Sequence, residues 1–204
     1  EDDLSSGATE TDDTSYTPPV GLPQGPHTLY VQEQNQAGVW SASALFVVTV
    51  DLTPPDTPHV AAATPTNDQT PTWHWRSGGN GGCGQFRYRL DDGDLSTGAT
   101  ETTDTSFTPV SYLDSGAHVL YVQERDAAGN WSRSGTFRVV VDLTPPNAPV
   151  VSGPALTNDS TPTWTWVSGG NGGGVFRCRI NDPDLGSGAY ETFGGSYTPS
   201  SPLN

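Results

Sequence analysis

Apolar residues alternate with polar ones over short stretches, and Gly, Pro, Asp and Asn interrupt each stretch before helical spacing can develop. In "TPTWHW" (residues 70–75) Trp73 and Trp75 point one way and His74 the other. In "FRYRL" (86–90) Phe86, Tyr88 and Leu90 share one face while Arg87 and Arg89 share the opposite one. "HVLYV" (118–122) sets His118, Leu120 and Val122 against Val119 and Tyr121, and "FRVVV" (137–141) turns Phe137, Val139 and Val141 inward. Successive strand side chains point to opposite faces, so one apolar face per strand means a sheet buried on one side. Two such sheets must cover each other, which predicts an antiparallel sandwich. "LDDGD" (90–94) predicts a hairpin turn, with Gly93 supplying the positive φ that a tight turn needs.

The same phrases return along the chain. "GPHTLYVQEQNQAGVWS" begins at residue 25 and "GAHVLYVQERDAAGNWS" at residue 116, a period of ninety-one residues. "VDLTPP" occurs at 50 and 141, "TNDQTPTWHW" at 66 returns as "TNDSTPTWTW" at 157, and "SGGNGG" occurs at 77 and 168. "DLSSGATET" (3–11) matches "DLSTGATET" (94–102) and, more loosely, "DLGSGAYET" (184–192). The phase of the repeat makes 1–55 the back part of one unit, 56–146 a whole unit and 147–204 the front part of another. The half-built ends are expected to be completed by more of the same chain or by a neighbouring copy, head to tail. Strands duplicated between 180–197 and 1–16, and the absence of an initiator Met, favour a segment of a longer array.

The whole unit offers seven strands: "HVAA", "TPTWHW", "QFRYRL", "GATETT", "TSFTP", "HVLYVQE" and "TFRVVVD". That number and spacing predict an all-β chain of tandem immunoglobulin-like or fibronectin-type seven-stranded sandwiches in a linear array. Cys83 and Cys178 fall at non-equivalent positions of different repeats, so no bridge staples a unit and aromatic packing must hold it. Eight Arg and no Lys against 23 acidic residues give a net charge of −15. Such a surface repels phosphate backbones and anionic lipid, so neither nucleic acid nor membrane insertion is expected.

The succession "FRYRLDDGD", "SFTP", "GAHVLYVQERDAAGNWS" and "VDLTPP" resembles the bacterial Ig-like repeats of large secreted adhesins and surface proteins. The resemblance covers the whole chain; its most specific parts are the D-x-x-G-N loop and the D-x-T-P-P linker. It implies an extracellular place at a bacterial cell surface and work as a structural or adhesive module of a stalk or filament. Neighbouring Ig-like repeats would be the partners.

Candidate chemistry is sparse. Asp51 and Asp142 end the last strand of their units, and Asp68 lies in the loop at the same pole. Asp126 and Asn130 lie at the pole where the next unit is entered, so hard oxygen ligands gather at a junction as calcium requires. Related adhesin arrays imply calcium at such junctions, whereas turn capping by Asp and Asn explains the same residues without a metal. Arg87, Arg89 and Tyr121 form an outward Arg/Tyr face, predicted to stack as a cation–π ladder, with glycan or other ligand binding as the alternative use. Asp91, Asp92, Asp94 and Glu101 sit on or beside a solvated hairpin, whereas paired-carboxylate catalysis needs an enclosed site; no enzyme is expected. His118, like His27, reads as a packed corner histidine.

Overall fold

Alternation of this kind becomes strand throughout the computed structural model, which describes residue 4 and residues 7–203. Asp3, Ser5 and Ser6 of the first "DLSSGATET" therefore lie outside the described residues. Contacts divide the chain into two compact units, one ending at Asp142 and the other beginning at Leu143.

In chain order the first unit holds β1 (Gly25–Val31), β2 (Ala44–Val50), β3 (His59–Ala61), β4 (Trp73–Arg76), β5 (Gly82–Leu90), β6 (Thr100–Thr102), β7 (Ser106–Phe107), β8 (Gly116–Asp126) and β9 (Gly135–Val141). From β3 onward these are the seven strands read from the sequence. They form two antiparallel sheets, β3-β4-β7 and β6-β5-β8-β9. The alternation decides what lies between the sheets: Trp73 and Trp75 from one, Phe86, Leu120, Val122, Val139 and Val141 from the other. His74, between the two tryptophans, is exposed. Seven strands in three-plus-four order around one apolar layer are an immunoglobulin-like sandwich. Neither cysteine is bridged, so the aromatic layer is the staple: Trp75 packs on Phe86 and Tyr88, and Trp73 on Phe107.

The turn after β5 differs from expectation. The positive φ falls on Asp91 (58°), not on Gly93. Asp91 tolerates left-handed backbone because its carboxyl oxygen accepts the Val119 N–H at 2.7 Å, while its own N–H donates to Val119 O. Gly93 lies under the Tyr121 ring instead: a Cβ there would sit 3.2 Å from it, a tight contact.

The remaining strands are pieces of the same design. β1 pairs with β2 in the register that β8 keeps with β9, Leu29 opposite Phe46 as Leu120 is opposite Phe137. The second unit holds β10 (Val150–Ser152), β11 (Trp164–Val167), β12 (Phe176–Cys178), β13 (Tyr190–Thr192) and β14 (Ser196–Tyr197). Its sheets β10-β11-β14 and β12-β13 repeat β3-β4-β7 and β5-β6.

Candidate functional site

The site the sequence pointed to is the joint where β2 hands the chain to β3. Asp126 ends β8, and its carboxyl oxygens accept the Asn130 backbone N–H at 2.8 Å and side-chain N–H at 2.9 Å. That Asn130 side-chain hydrogen bond, the largest influence, holds the Asp126 carboxyl below the usual range. The loop so fixed aims the Asn130 amide back along the chain, where it donates to the backbone carbonyl of Asp51 at 2.9 Å. Three of the five junction residues, Asp51, Asp126 and Asn130, therefore meet.

The linker behind Asp51 is seated on glycines. Asp56 N–H donates to Gly79 O at 3.3 Å. A Cβ at Gly78 would lie 2.3 Å from Thr57 O, and one at Gly135 would lie 2.0 Å from Pro58 O, so only glycine admits the linker backbone there. The seat recurs in the second unit. Asn147 donates from its backbone to Gly170 O at 3.0 Å and from its side chain to Gly169 O at 3.1 Å, and a Cβ at Gly169 would meet Ala148 O.

Asp68 and Asp142 lie at the opposite pole. Asp68 caps its own turn, accepting from Thr70 N–H at 2.8 Å and Thr70 hydroxyl at 3.1 Å, and Asp159 does the same with Thr161. Asp142 N–H donates to Thr66 O at 2.8 Å, which brings the end of β9 beside the Asp68 loop as the sequence suggested. Among the described residues no group of three or more His, Cys, Asp or Glu side chains gathers to hold a metal ion.

On the Arg/Tyr face the expected strand pairing holds, with Arg89 opposite Tyr121, but the cation–π partner differs. Arg87 lies over the Trp131 ring at 4.3 Å and Arg125 over the same ring at 5.5 Å. Arg87 Nε also donates to Gln123 Oε1 at 2.8 Å. Arg89 pairs with Asp92 at 3.0 Å and donates to the carbonyls of Asp94 and Thr97. Tyr121 is turned toward Gly93. Trp131 follows the loop, off the alternating strand pattern; its recurrence as Trp40 was the available signal.

Glu124 was also missed. It occupies the inward face of β8 and is fully buried. Its carboxyl accepts the Ser77 hydroxyl at 2.6 Å and the Gly84 N–H at 3.1 Å, tying the Gly-rich turn to β8. A Cβ at Gly82 would lie 2.3 Å from Glu124 Oε1. A Glu continuing the inward series after Leu120 and Val122, repeated as Glu33, was the signal.

His118 is the packed corner residue expected, its ring nitrogens 2.7 Å from Asp91 Oδ2 and 3.0 Å from Asp114 O. The Asp91 hydrogen bond, opposed by burial, raises its pKa. A raised folded value means that the pair stabilises fully below the ordinary histidine value of about 6.5 and fades as pH rises through the folded value. Asp91→Asn keeps a residue fit for left-handed backbone, since Asn181 holds φ 59° at the equivalent turn. The variant is expected to lose Tm at pH 5.5 and to approach the parent at pH 8.5. Parallel Tm curves across that range would show that the pair contributes nothing to stability.

Among the described residues no helix is long and apolar enough to cross a membrane. No protein-family model matches the sequence, and no curated protein matches it significantly. Solved structures resemble it weakly. The glycoside hydrolase domain of Endo-D from Streptococcus pneumoniae is 15% identical over 48% of this chain and 17% of that one, with a TM-score of 0.34. Domains d3–d4 of the rat CD45 extracellular region are 8% identical over 69% and 78%, with a TM-score of 0.37. The FN1–FN3 domains of chicken CNTN1 are 13% identical over 86% and 65%, with a TM-score of 0.35. The chain thus spans less than two thirds of the first and third of these, and its fold assignment stands on its own strand order.

Proposed function

We propose that the chain is a stretch of an extracellular rod, with part of one repeat in 1–55, a whole repeat in 56–146 and part of another in 147–204, that projects from a bacterial surface as a stalk or fibre. The observation that supports this most is the joint. Asn130 grips the Asp51 carbonyl while the linker lies in a glycine seat, and the same seat receives Asn147. Within the first unit this joint ties the end of one repeat to the start of the next, which is what a stalk needs and a flexible tether lacks. Glycan binding through Arg87, Arg89 and Tyr121 ranks behind it, because those side chains spend their polar and aromatic surfaces on their own neighbours.

The test is a pulsed-dipolar distance between spin labels on Thr49→Cys and Arg138→Cys, in a chain with Cys83 and Cys178 replaced by serine. A narrow distribution is expected, broadened by Asn130→Ala. A broad distribution in the parent overturns the rod. Calcium at the joint, held by Asp51, Asp126 and Asn130, would make a chelator broaden the distribution as Asn130→Ala does. An unchanged width would leave the hydrogen bonds as the whole joint.

A further inference from the structure

The stretches 25–50 and 116–141 match closely, and three of their differences are arginines. Arg125, Arg133 and Arg138 stand where the first stretch has Gln34, Ala42 and Val47. The neutral residues serve the same hairpin, since β1 keeps with β2 the register of β8 with β9. The fold therefore does not require these charges. All three lie on the outer face of the sheet β6-β5-β8-β9. Arg125 and Arg138 alternate with the buried Glu124 and Val139, and Arg133 is exposed beside the buried Ser132.

Two of them gather at Trp131 with residues of β5 and β8. Trp131 pairs with Arg125 in an antiparallel bridge, Gln85 lies opposite Arg125, and Arg87 lies opposite Gln123. Arg87 and Arg125 both lie over the Trp131 ring, at 4.3 and 5.5 Å, and Arg133 follows two residues later. Like charges held over one ring repel, and the chain has 23 acidic residues with which to relieve that. They are not used. Arg87, Arg125 and Arg133 form no ion pair among the described residues, whereas Arg89, Arg177 and Arg179 each do. Burial, the largest influence, lowers the Arg87 pKa against the attraction of Glu101 and Asp94. Arg87 Nε donates to Gln123 Oε1, which leaves the terminal nitrogens of Arg87 and the amide N–H groups of Gln123 as donors.

We propose that the face around Trp131 binds a glycan carrying carboxylates, a short run of sugar acids, through Arg87, Arg125 and Arg133. The groups present choose this partner. Planar guanidinium forks match carboxylates, and the neutral amides of Gln85 and Gln123 match hydroxyls; a sugar acid carries both. The face is open sheet, not a cleft, which suits an extended chain lying across strands. A net charge of −15 does not forbid it. At physiological salt charges are screened beyond about 8 Å, so a short oligosaccharide feels the arginines, whereas a long polyphosphate would also meet the acidic remainder. Arg89 and Tyr121 stand outside this site, the one held by Asp92 and the other turned toward Gly93.

The test is trigalacturonate titrated into the full chain at low salt, read by nuclear magnetic resonance at the Trp131 indole N–H. Maltotriose serves as the neutral sugar and pentaglutamate as the acidic peptide. A saturable shift is expected with trigalacturonate alone, weakening as salt rises. Arg125→Gln combined with Arg133→Ala installs the residues that the first stretch already carries on the same hairpin. That variant should bind about tenfold more weakly, having lost two charge-assisted contacts. No saturable shift with trigalacturonate overturns the proposal, as does an unchanged affinity in the double variant. Equal binding of maltotriose overturns it because the arginines would then select nothing, and equal binding of pentaglutamate because the partner would then be an acidic peptide. The proposal adds a ligand to the stalk and does not rest on the rigidity of its joint, so the label distance and the titration can fail separately.

Discussion

Replacing Trp73 by alanine is expected to cost the complete repeat about 4 kcal/mol, the range for truncating a buried tryptophan in a packed layer. Trp73 is fully buried, packs on Phe107, and donates its ring N–H to Phe137 O at 3.2 Å across the sandwich. It therefore loses apolar area, a ring contact and a hydrogen bond that joins the two sheets. Domains of this size have only about 5–15 kcal/mol in all, and each kcal/mol moves Tm by roughly 4–8 °C. Calorimetry of the full chain should show one transition falling by on the order of 20 °C. The neighbouring exposed His74→Ala should shift it by under about 4 °C, since surface changes are usually within ±0.5 kcal/mol. Equal small shifts from both would mean that the aromatic layer is not what holds a repeat without disulfides.

Glu124→Ala is expected to cost about 3 kcal/mol, for a reason opposite in kind. The change removes a buried polar group, yet it leaves the Ser77 hydroxyl and the Gly84 N–H facing a space that offers them no acceptor. Stranding half-buried donors costs at most about 1–3 kcal/mol each, which outweighs the gain from removing the carboxyl. Urea unfolding should show a lower midpoint with an unchanged slope, since the surface exposed on unfolding is nearly the same. Hydrogen exchange at the Gly84 amide should quicken at the same time. Ser77→Ala, which leaves the carboxyl its Gly84 donor, should cost about half as much. A Glu124→Ala midpoint close to the parent's would mean that the Gly-rich turn holds its shape through its glycines alone.

That turn also shows where reading the sequence stopped. Strand alternation was legible because period two is a local property: Trp73 and Trp75 face in, and His74 faces out, whatever the rest of the chain does. The seven strands of the complete repeat were visible in that way, while Asp126 and Asn130 were legible as one loop from the D-x-x-G-N spacing. The general preference of glycine for left-handed backbone predicts the positive φ at Gly93. It fell on Asp91 because a residue twenty-eight positions away, Val119, offers that carboxyl an N–H. Arg87 was matched with Tyr121 on strand adjacency, but its ring partner is Trp131, placed by a loop whose path no periodicity encodes.

The sequence by itself determined the all-β class, the repeat of ninety-one residues and which side of each strand is apolar, since these follow from spacing along one chain. Tertiary structure decided what those sides do. Leu29 and Leu120 belong to nearly identical phrases, yet one is 44% exposed and the other 0%. Burial depends on the sheet across the gap: β3-β4-β7 covers Leu120, and no such sheet among the described residues covers Leu29. The glycine seat is of the same kind. Gly78 and Gly135 look alike in sequence to any turn glycine, and only the approach of the Thr57 and Pro58 backbone carbonyls to within a Cβ's own space makes each of them obligatory.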